Sequence, residues 1–213
     1  MILTMVKVRK GVICSAPRIT MSIKKDKRKD YTNMKMGFED IVGKATGGVM
    51  KKVAVAAAQD SAVLEAVVEA KKRGIAEAIL VGDEAKIKEI AASMDLDISG
   101  FEIIDEPDMV QAALTAVKLA HDGKVDMYMK GLVDTKNFLK SVLDKEVGLR
   151  TGAPLSHVAV FDVPGIDQLL FLTDVAFMTY PTLEDKVNII NNTVPVAKAC
   201  GVENPKVAPL AAV

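Results

Sequence analysis

The sequence predicts an α/β fold with a mostly parallel sheet and helices on both of its faces. From Lys51 onward, short apolar runs alternate with amphipathic helical patterns, an order that favours parallel strands joined by right-handed crossovers. The composition agrees, because 50% of the residues are hydrophobic while only 4% are aromatic, which is typical of α/β enzymes rather than all-β binding modules. At 213 residues the chain is long enough for one large domain.

Four strand–helix units follow one another in the central part of the chain. The predicted units are, in order, strand Val53–Ala58 with helix Ser61–Arg73, Ala78–Val81 with Glu84–Met94, Phe101–Ile104 with Asp108–His121, and Val125–Met129 with Thr135–Lys145. The first helix is predicted by apolar residues three and four positions apart, such as Val63, Leu64 and Val67, and by Gly74 as its C-cap. The second begins where the Gly82-Asp83 turn supplies an N-cap carboxylate.

The remaining elements are a hairpin, a long helix and a final strand. Strands His157–Phe161 and Leu169–Leu172 flank a short Pro-Gly turn with no room for a helix between them, so we expect them to pair antiparallel. A helix is predicted over Leu183–Cys200, with a break or kink before Pro195. Lys206–Val213 is predicted to begin another strand, which suggests a chain truncated before its C-terminal part.

Residues 1–35 differ from the rest of the chain in charge and pattern. They carry ten Lys or Arg against Asp26 and Asp30, a net charge of +8 in a chain that is neutral as a whole. They also lack a helical or strand period. We therefore expect a disordered basic extension, followed by the α/β portion over residues 36–213. A transit peptide or a nucleic-acid-binding arm is the alternative for the extension.

Composition and spacing exclude several classes of function for the folded portion. Cys14 and Cys200 are far apart and form no Cys-x-x-Cys pair, which favours a reducing, cytoplasmic location. No apolar run reaches the roughly 18–20 residues of a transmembrane helix. The two histidines and two cysteines give none of the usual metal-ligand spacings, and Gly43–Gly48 lacks the spacing of a P-loop. We expect no metal, no membrane and no nucleic acid as partners.

Two loops of the predicted sheet are suited to an anion. Ligands of open α/β sheets bind beyond the carboxyl ends of the strands. At such an end, Lys130 and Gly131 precede a helix that begins near Thr135, and a cation beside a helix N-terminus makes a natural phosphate site. A second loop, Gly148–Gly152, places a guanidinium and a hydroxyl between two glycines, where the backbone can approach a ligand closely.

Several polar residues admit a structural interpretation beside the functional one. For Lys130 the alternative is an ion pair with a neighbouring carboxylate. Asp174 follows a strand and is either a general base or a turn aspartate. Ser156 and His157 are adjacent on a strand and so point to opposite faces, which favours a structural, hydrogen-bonded histidine over a nucleophile–base pair. We assign no function to His121, which lies at a helix C-terminus.

Seven segments between Met50 and Val213 carry a resemblance to a known family. They are Lys51–Asp60, Ala78–Asp83, Met129–Leu132, Leu143–Gly152, Leu155–Phe161, Leu170–Asp174 and Glu203–Pro209. These segments resemble the phosphate butyryltransferase branch of the phosphate acyltransferases. The resemblance implies an isocitrate/isopropylmalate dehydrogenase-like fold and a homodimer. It also implies exchange of an acyl group between CoA and inorganic phosphate, with CoA as a substrate and no metal or redox cofactor.

The resemblance also bears on the site residues. The hypothesised anion-side residues are Lys130, Gly131, Thr135, Lys140, Arg150, Thr151 and Ser156. In related enzymes an aspartate is thought to deprotonate the CoA thiol while a serine and arginines stabilise charge, and a C-terminal Ser-Arg-Ala-Asp-Ser motif carries these residues. The motif does not occur before Val213, so we expect no appreciable activity from this chain alone, with Asp174 as a catalytic candidate. The alternatives are a non-catalytic domain that binds phosphate or CoA, and half of a split enzyme completed by a complementary C-terminal segment.

Overall fold

The computed structural model describes residues 37–210 in full and, nearer the N-terminus, the backbone of two strands at residues 2–8 and 11–15. Expectations for the rest of the first 36 residues, and for residues 211–213, lie outside the described residues. The two N-terminal strands differ from the irregular extension that the sequence predicts there. Both are rich in apolar and β-branched residues, which favour extended backbone, although neither alternates regularly enough to be recognised as a strand.

Helices and strands alternate along most of the described chain. In order they are β1 (Ile2–Val8), β2 (Gly11–Ser15), α1 (Phe38–Thr46), β3 (Lys51–Ala56), α2 (Ser61–Lys72), β4 (Ala76–Gly82), α3 (Glu84–Ser93), β5 (Glu102–Asp105), α4 (Met109–His121), β6 (Met127–Lys130), α5 (Thr135–Val142), β7 (Val158–Phe161), β8 (Leu170–Leu172) and α6 (Leu183–Ala199). The predicted elements from β3 to α6 are confirmed, and α1 is an additional helix.

The strands form one mixed sheet in the order β5-β4-β3-β6-β2-β1-β7-β8. The run β5-β4-β3-β6-β2 is parallel throughout, and the run β2-β1-β7-β8 is antiparallel. Strands β7 and β8 pair through Val160 and Phe171, which confirms the predicted hairpin. The parallel part brings the carboxyl ends of β3, β4, β5 and β6 to one edge of the sheet, where a ligand site is expected.

Helices cover both faces of the parallel part of the sheet. Val53 and Val55 of β3 belong to the same buried cluster as the inner faces of α2 and α3. Ala54 and Ala56 of the same strand belong to the opposite cluster, with α4 and α5. This alternation follows from the two-residue period of a strand, and it confirms the predicted arrangement of helices on both faces.

The cluster beneath α2 and α3 is made of branched aliphatic side chains. Leu64 of α2, Leu80 of β4 and Ile87 of α3 are all 0% exposed. Burial of each such side chain contributes about 1.5–3 kcal/mol relative to leaving it in water. This face of the sheet is therefore a buried hydrophobic core.

Small residues bring α4 close to the opposite face of the sheet. Ala112, Ala113 and Ala116 on its inner side are fully buried. Tyr128 of β6 stacks on Phe138 with ring centroids 4.7 Å apart, and its hydroxyl donates to the carbonyl oxygen of Ala113 at 3.2 Å. Burial raises the pKa of Tyr128, so this hydroxyl keeps its proton. These contacts fix α4 firmly against the sheet.

Each helix at the carboxyl edge of the parallel strands begins with an aspartate N-cap. The caps of α2, α3, α4 and α5 accept a hydrogen bond from a backbone N–H within the first turn, and they are Asp60, Asp83, Asp108 and Asp134. A carboxylate at a helix N-terminus satisfies a free N–H group and interacts favourably with the helix dipole. The result is an edge at which four helix N-termini already carry negative charge.

The C-terminal region differs from the sequence prediction in two ways. Helix α6 is continuous through Pro195, so the break that the sequence predicts before this proline does not occur. Ile189 and Val196, on either side of the proline, are buried, so packing offsets the backbone hydrogen bond that a proline removes. Residues 205–210 form neither helix nor strand, although a strand was predicted from Lys206. Pro209 lacks the N–H group that a strand ladder needs, which favours irregular backbone there.

Candidate functional site

The predicted anion loop Gly148–Gly152 borders a cleft. The cleft has a volume of about 370 Å³ and lies between the loop, the end of α5 and helix α6. The residues that line it are Val142, Leu143, Leu149, Arg150, Thr151, Gly152, Ala153, Pro154, Leu155 and Asn192. Most of these side chains are apolar, while Arg150, Thr151 and Asn192 supply polar groups. The volume is within the range of small-molecule sites, about 300–1,000 Å³.

The start of the loop is fixed by local hydrogen bonds and by one glycine. The Asp144 carboxylate accepts from the N–H groups of Glu146 at 2.8 Å and Val147 at 2.9 Å, and these two bonds, together with the charge of Lys140, lower the pKa of Asp144. A Cβ on Gly148 would lie 2.6 Å from the carbonyl oxygen of Val142. The backbone therefore turns back on itself in a way that a larger residue would prevent.

Two helices hold the loop from outside. The Nδ1 atom of His121, the last residue of α4, lies 2.9 Å from the carbonyl oxygen of Gly148. Because a carbonyl oxygen only accepts, Nδ1 is the protonated ring nitrogen in this hydrogen bond. The Asn192 amide of α6 donates to the carbonyl oxygen of Pro154 at 3.1 Å and to the hydroxyl of Ser156 at 2.9 Å.

Between these two anchors the loop exposes its polar side chains. Arg150 and Thr151 are both exposed, and the hydroxyl oxygen of Thr151 accepts from the N–H of Ala153 at 3.3 Å. Within residues 37–210, Arg150 takes part in no salt bridge. Its guanidinium is thus available to bind an anion through two parallel hydrogen bonds.

The predicted site at Lys130 has a different environment. Lys130 is half-buried at the end of β6, and its ammonium donates to the carbonyl oxygen of Gly131 at 3.3 Å. The alternative ion pair with a carboxylate is not formed in the described part of the chain. A Cβ on Gly131 would lie 2.5 Å from the carbonyl oxygen of Ala56, so this glycine allows close strand packing rather than approach of a ligand.

The N-terminus of α5 already holds a carboxylate. Asp134 accepts from the backbone N–H of Asn137 at 3.0 Å and from its amide nitrogen at 2.6 Å. The backbone N–H of Asn137 is the main cause that lowers the pKa of Asp134, followed by its side-chain amide. Thr135 and Lys140 are both exposed on α5. The phosphate site predicted between Lys130 and this helix terminus would place a phosphate beside an ionised aspartate.

Asp174 and Ser156 are both engaged in hydrogen bonds of the fold. The Asp174 carboxylate accepts from the N–H groups of His157, Ala176 and Phe177, each at 2.7 Å. This is the arrangement of a turn aspartate, one of the two interpretations that the sequence left open. Ser156 is 4% exposed, and its hydroxyl accepts from Asn192. Its place in the structure is therefore that of a support beneath the loop.

His157 packs inside the protein. The residue is 7% exposed, and its ring meets Phe177 edge-on with centroids 5.8 Å apart. Burial lowers the pKa of His157, although the nearby Asp174 opposes that shift. The Ser156 hydroxyl bonds Asn192 rather than this ring. Placement in the core agrees with the structural role expected for this histidine.

The structure brings together two of the predicted residues, Arg150 and Thr151, in the wall of the cleft. Lys130, Gly131, Thr135, Lys140, Ser156 and Asp174 are not among its lining residues. Sequence reasoning missed Asn192 and gave His121 no role. Neither could be found from spacing, because their partners Pro154 and Gly148 are 38 and 27 residues away.

Two classes of feature have no representative in the described part of the chain. Residues 37–210 contain no group of three or more His, Cys, Asp or Glu side chains arranged to hold a metal ion. None of the helices described combines the length and the apolar character that a bilayer crossing requires.

The chain is similar to known acyltransferases along most of its length. A phosphate butyryltransferase from Clostridium acetobutylicum is 60% identical over 176 residues, which cover 83% of this chain and 58% of that protein. A probable phosphate butyryltransferase from Bacillus subtilis is 42% identical over 178 residues, or 84% of this chain and 59% of that protein. The chain thus spans less than two thirds of the length of these relatives.

Solved structures of related proteins have the same fold. A branched-chain phosphotransacylase from Enterococcus faecalis matches with a TM-score of 0.60 and 26% identity, over 73% of this chain and 54% of the other. A phosphotransacetylase from Streptococcus pyogenes matches in fold with a TM-score of 0.66 and 15% identity, over 79% of this chain and 60% of the other. The sequence pattern of the family described as phosphate acetyl/butaryl transferase matches residues 37–113 and 106–213. The chain therefore belongs to the phosphate acetyl/butaryl transferase family.

Proposed function

We propose that this chain binds inorganic phosphate or an acyl phosphate at Arg150 and Thr151 and takes part in acyl exchange between CoA and phosphate. The observation that carries the proposal is the exposed Arg150 guanidinium, held at the mouth of a cleft on a loop anchored at both ends. The relatives named phosphate butyryltransferase supply the reaction class.

The chemistry of the cleft suits a ligand with one charged and one apolar end. Arg150 and Thr151 offer hydrogen-bond donors to phosphate oxygens. Leu143, Leu149 and Leu155 line the same cleft and offer an apolar surface to a short acyl chain. An acyl phosphate has both features, because a compact anion is joined directly to a hydrocarbon chain.

Charge on the neighbouring edge of the sheet favours the same assignment. The N-termini of α2, α3, α4 and α5 carry their own aspartates there. A phosphate at any of these termini would meet a like charge, whereas at Arg150 it meets an opposite one. In this proposal Lys130, Thr135 and Lys140 contribute longer-range positive charge or polar contacts, and Ser156 supports the loop.

The proposed reaction needs fixed positive charge where negative charge develops. In the direction from acyl-CoA, a phosphate oxygen attacks the thioester carbonyl, a C–O bond forms, and the C–S bond breaks to release the CoA thiolate. The reverse reaction uses that thiolate as the nucleophile. During the attack, negative charge moves from the phosphate oxygen toward the thioester carbonyl oxygen. A guanidinium that is already oriented stabilises this charge without reorganisation during the reaction. Arg150 has this role in the proposal.

The proposal extends to the properties that the family resemblance implies. We infer an isocitrate/isopropylmalate dehydrogenase-like fold, a homodimer, a cytoplasmic location, and a reaction without metal or redox cofactor. The cytoplasmic assignment is supported by Cys200, which is a free, buried thiol of the kind found in reducing compartments. We assign residues 36–213 to the α/β portion, whose sheet also contains the N-terminal strands β1 and β2. Sedimentation of the purified chain tests the dimer, with a monomer at all concentrations as the contradicting result.

Calorimetry with inorganic phosphate and with butyryl phosphate tests the site. We expect Arg150→Gln to weaken binding of both by about tenfold or more, because a hydrogen bond to a charged group is worth about 1.5–3 kcal/mol. Arg150→Lys keeps the charge but loses the paired donors. Its affinity for each ligand is expected to lie between those of the wild type and Arg150→Gln. Lys88→Gln, which also removes one exposed cation, is the matched control and is expected to bind as the wild type does.

Equal affinity of wild type and Arg150→Gln for both ligands would contradict the site. A parallel assay of butyryl-CoA formation from butyryl phosphate and CoA separates the function classes. Turnover that Arg150→Gln lowers supports the acyltransferase. Arg150-dependent binding without turnover agrees both with the inactivity expected of this chain alone and with a domain that only binds its ligand.

A further inference from the structure

We propose that His121 and Asn192 are positioning residues that hold the Arg150 loop in its ligand-binding form, one at each end of the loop. The inference rests on the proposed function, since it concerns the same loop. Neither residue lies within the loop, and neither is required by the anion chemistry itself. His121 is placed by α4, which packs on the sheet, and Asn192 is placed by α6, whose Ile189 and Val196 are buried.

The first anchor joins the loop to α4. His121 is the last residue of a helix whose inner alanines Ala113 and Ala116 are fully buried against the sheet. Its Nδ1–H donates to the Gly148 carbonyl oxygen at 2.9 Å, two residues before Arg150. Since α4 cannot move without opening the core, the hydrogen bond fixes the backbone that leads into Arg150.

The second anchor joins the other end of the loop to α6. Asn192 donates two hydrogen bonds from one amide nitrogen, to the Pro154 carbonyl oxygen at 3.1 Å and to the Ser156 hydroxyl at 2.9 Å. Its neighbour in the helix, Ile189, is buried. Asn192 also lines the cleft, so it ties the opposite wall to the segment that follows Thr151.

Between the anchors, the N–H of Leu149 donates to the Val142 carbonyl oxygen and the N–H of Ala153 donates to the Thr151 hydroxyl oxygen, one on each side of Arg150. Gly152 has a φ of +83° and no heavy atom within 4 Å of where its Cβ would be. A segment with this freedom samples many conformations unless outside contacts restrict it. Holding Arg150 in one of them before the ligand arrives removes an entropic cost from binding. Within residues 37–210, the side-chain hydrogen bonds of His121 and Asn192 all end on this segment or on Ser156.

Titration of the purified 213-residue chain with inorganic phosphate measures the effect. We expect His121→Ala and Asn192→Ala each to weaken phosphate binding by about three- to tenfold, the range for loss of an ordinary hydrogen bond. His121→Asn is expected to restore binding, because its amide nitrogen can take the place of Nδ1. Asn192→Asp is expected to remain weak, because an ionised carboxylate cannot donate to the Pro154 carbonyl.

Neighbouring substitutions control for general damage to the helices. Lys118→Ala removes the ion pair to Asp122 in the last turn of α4, and Thr193→Val removes the hydroxyl bond to Ile189 in α6. Both are expected to leave phosphate affinity unchanged. In an Arg150→Gln background, His121→Ala and Asn192→Ala are expected to cause no further loss, because they act through Arg150.

Limited trypsin digestion measures the mobility of the loop in the absence of a ligand. Cleavage after Arg150 is expected to be at least threefold faster in His121→Ala and Asn192→Ala, by the same estimate of about one ordinary hydrogen bond, and unchanged in Lys118→Ala and Thr193→Val. If Arg150→Gln weakens phosphate binding but the anchor variants alter neither affinity nor cleavage, the positioning role is overturned and the proposed function stands. If Arg150→Gln has no effect on binding, the proposed function fails, and the cleavage rates alone decide the anchors.

Discussion

At the scale of single residues, the proposed ligand-binding role of Arg150 depends on its hydrogen-bond and ion-pair partners, which differ from those of Asp134 and Asp174. Asp174 receives three backbone hydrogen bonds, and Asp134 caps α5. Both carboxylates serve the fold. Arg150 is exposed and enters no salt bridge within residues 37–210. The difference lies in the partners of each group, which residue type alone does not reveal.

His157 is expected to make stability depend on pH. Burial holds its folded-state pKa below the value of about 6.5 that a histidine has in an unfolded chain. Below that value the unfolded state binds the proton first, so stability is expected to fall from about pH 6.5 down to the folded-state pKa. Urea unfolding at a series of pH values above about 5, where most carboxylates stay ionised, measures this slope.

His157→Phe keeps an aromatic ring against Phe177 and removes the titrating group. Its stability is expected to be lower overall but flatter across the same pH window. A wild-type slope in His157→Phe would show that His157 is not the group that makes stability depend on pH in this window.

At the scale of elements, the loop between α5 and β7 depends on a glycine that the chain cannot replace. The local turn at Asp144 and the anchor from α4 meet at Gly148, where a Cβ would lie 2.6 Å from the carbonyl oxygen of Val142. The same loop carries Arg150. Its conformation therefore joins the stability of the fold to the proposed ligand site.

Gly148→Ala is expected to lower the free energy of unfolding by about 1–3 kcal/mol, the usual cost of forcing extra volume into packed surroundings. Phosphate affinity is expected to fall as well, because the displaced backbone leads directly into Arg150. Urea unfolding and calorimetry measure the two effects. Gly48→Ala is the matched control, since no heavy atom lies within 4 Å of its Cβ position. Equal stability of the two variants would show that the loop relaxes freely.

At the scale of the whole molecule, one sheet joins two separate buried clusters. Leu64 and Leu80 belong to the cluster under α2 and α3, whereas Val117 and Tyr128 belong to the one under α4 and α5. Adjacent residues of β3 and β4 contribute to both. Loss of packing on one face removes support for the strands that the other face needs, so the parallel part of the chain is expected to unfold as one unit.

Leu64→Ala is expected to lower the free energy of unfolding by about 2–5 kcal/mol, because Leu64 is 0% exposed. The test follows Tyr128 on the other face, with Tyr31 and Tyr180 replaced by Phe so that only Tyr128 fluoresces. Its transition and that from far-UV circular dichroism are expected to move together. Leu183→Ala, at a side chain that is 81% exposed, should move neither. A Tyr128 transition that stays at the wild-type midpoint would show that the two faces unfold separately.

The sequence by itself determined the elements and the local chemistry of this protein. Patterns within short stretches of chain predicted strands β3 to β6 with their helices, the β7–β8 hairpin, and the loop that carries Arg150 and Thr151. Such patterns are set by backbone geometry, so they can be recognised in the sequence without knowledge of the tertiary structure. The same local patterns did not identify α1 or the two N-terminal strands, whose signals are weaker.

Only the tertiary structure decided which polar groups remain available to a ligand. The hydrogen bond from His121 to Gly148 spans 27 residues, and that from Asn192 to Pro154 spans 38. Spacing in the sequence carries no signal at these separations, because the contacts exist only once α4, α6 and the loop have packed. The aspartate caps likewise favour the proposed anion site at Arg150 over the N-terminus of α5 beside Lys130.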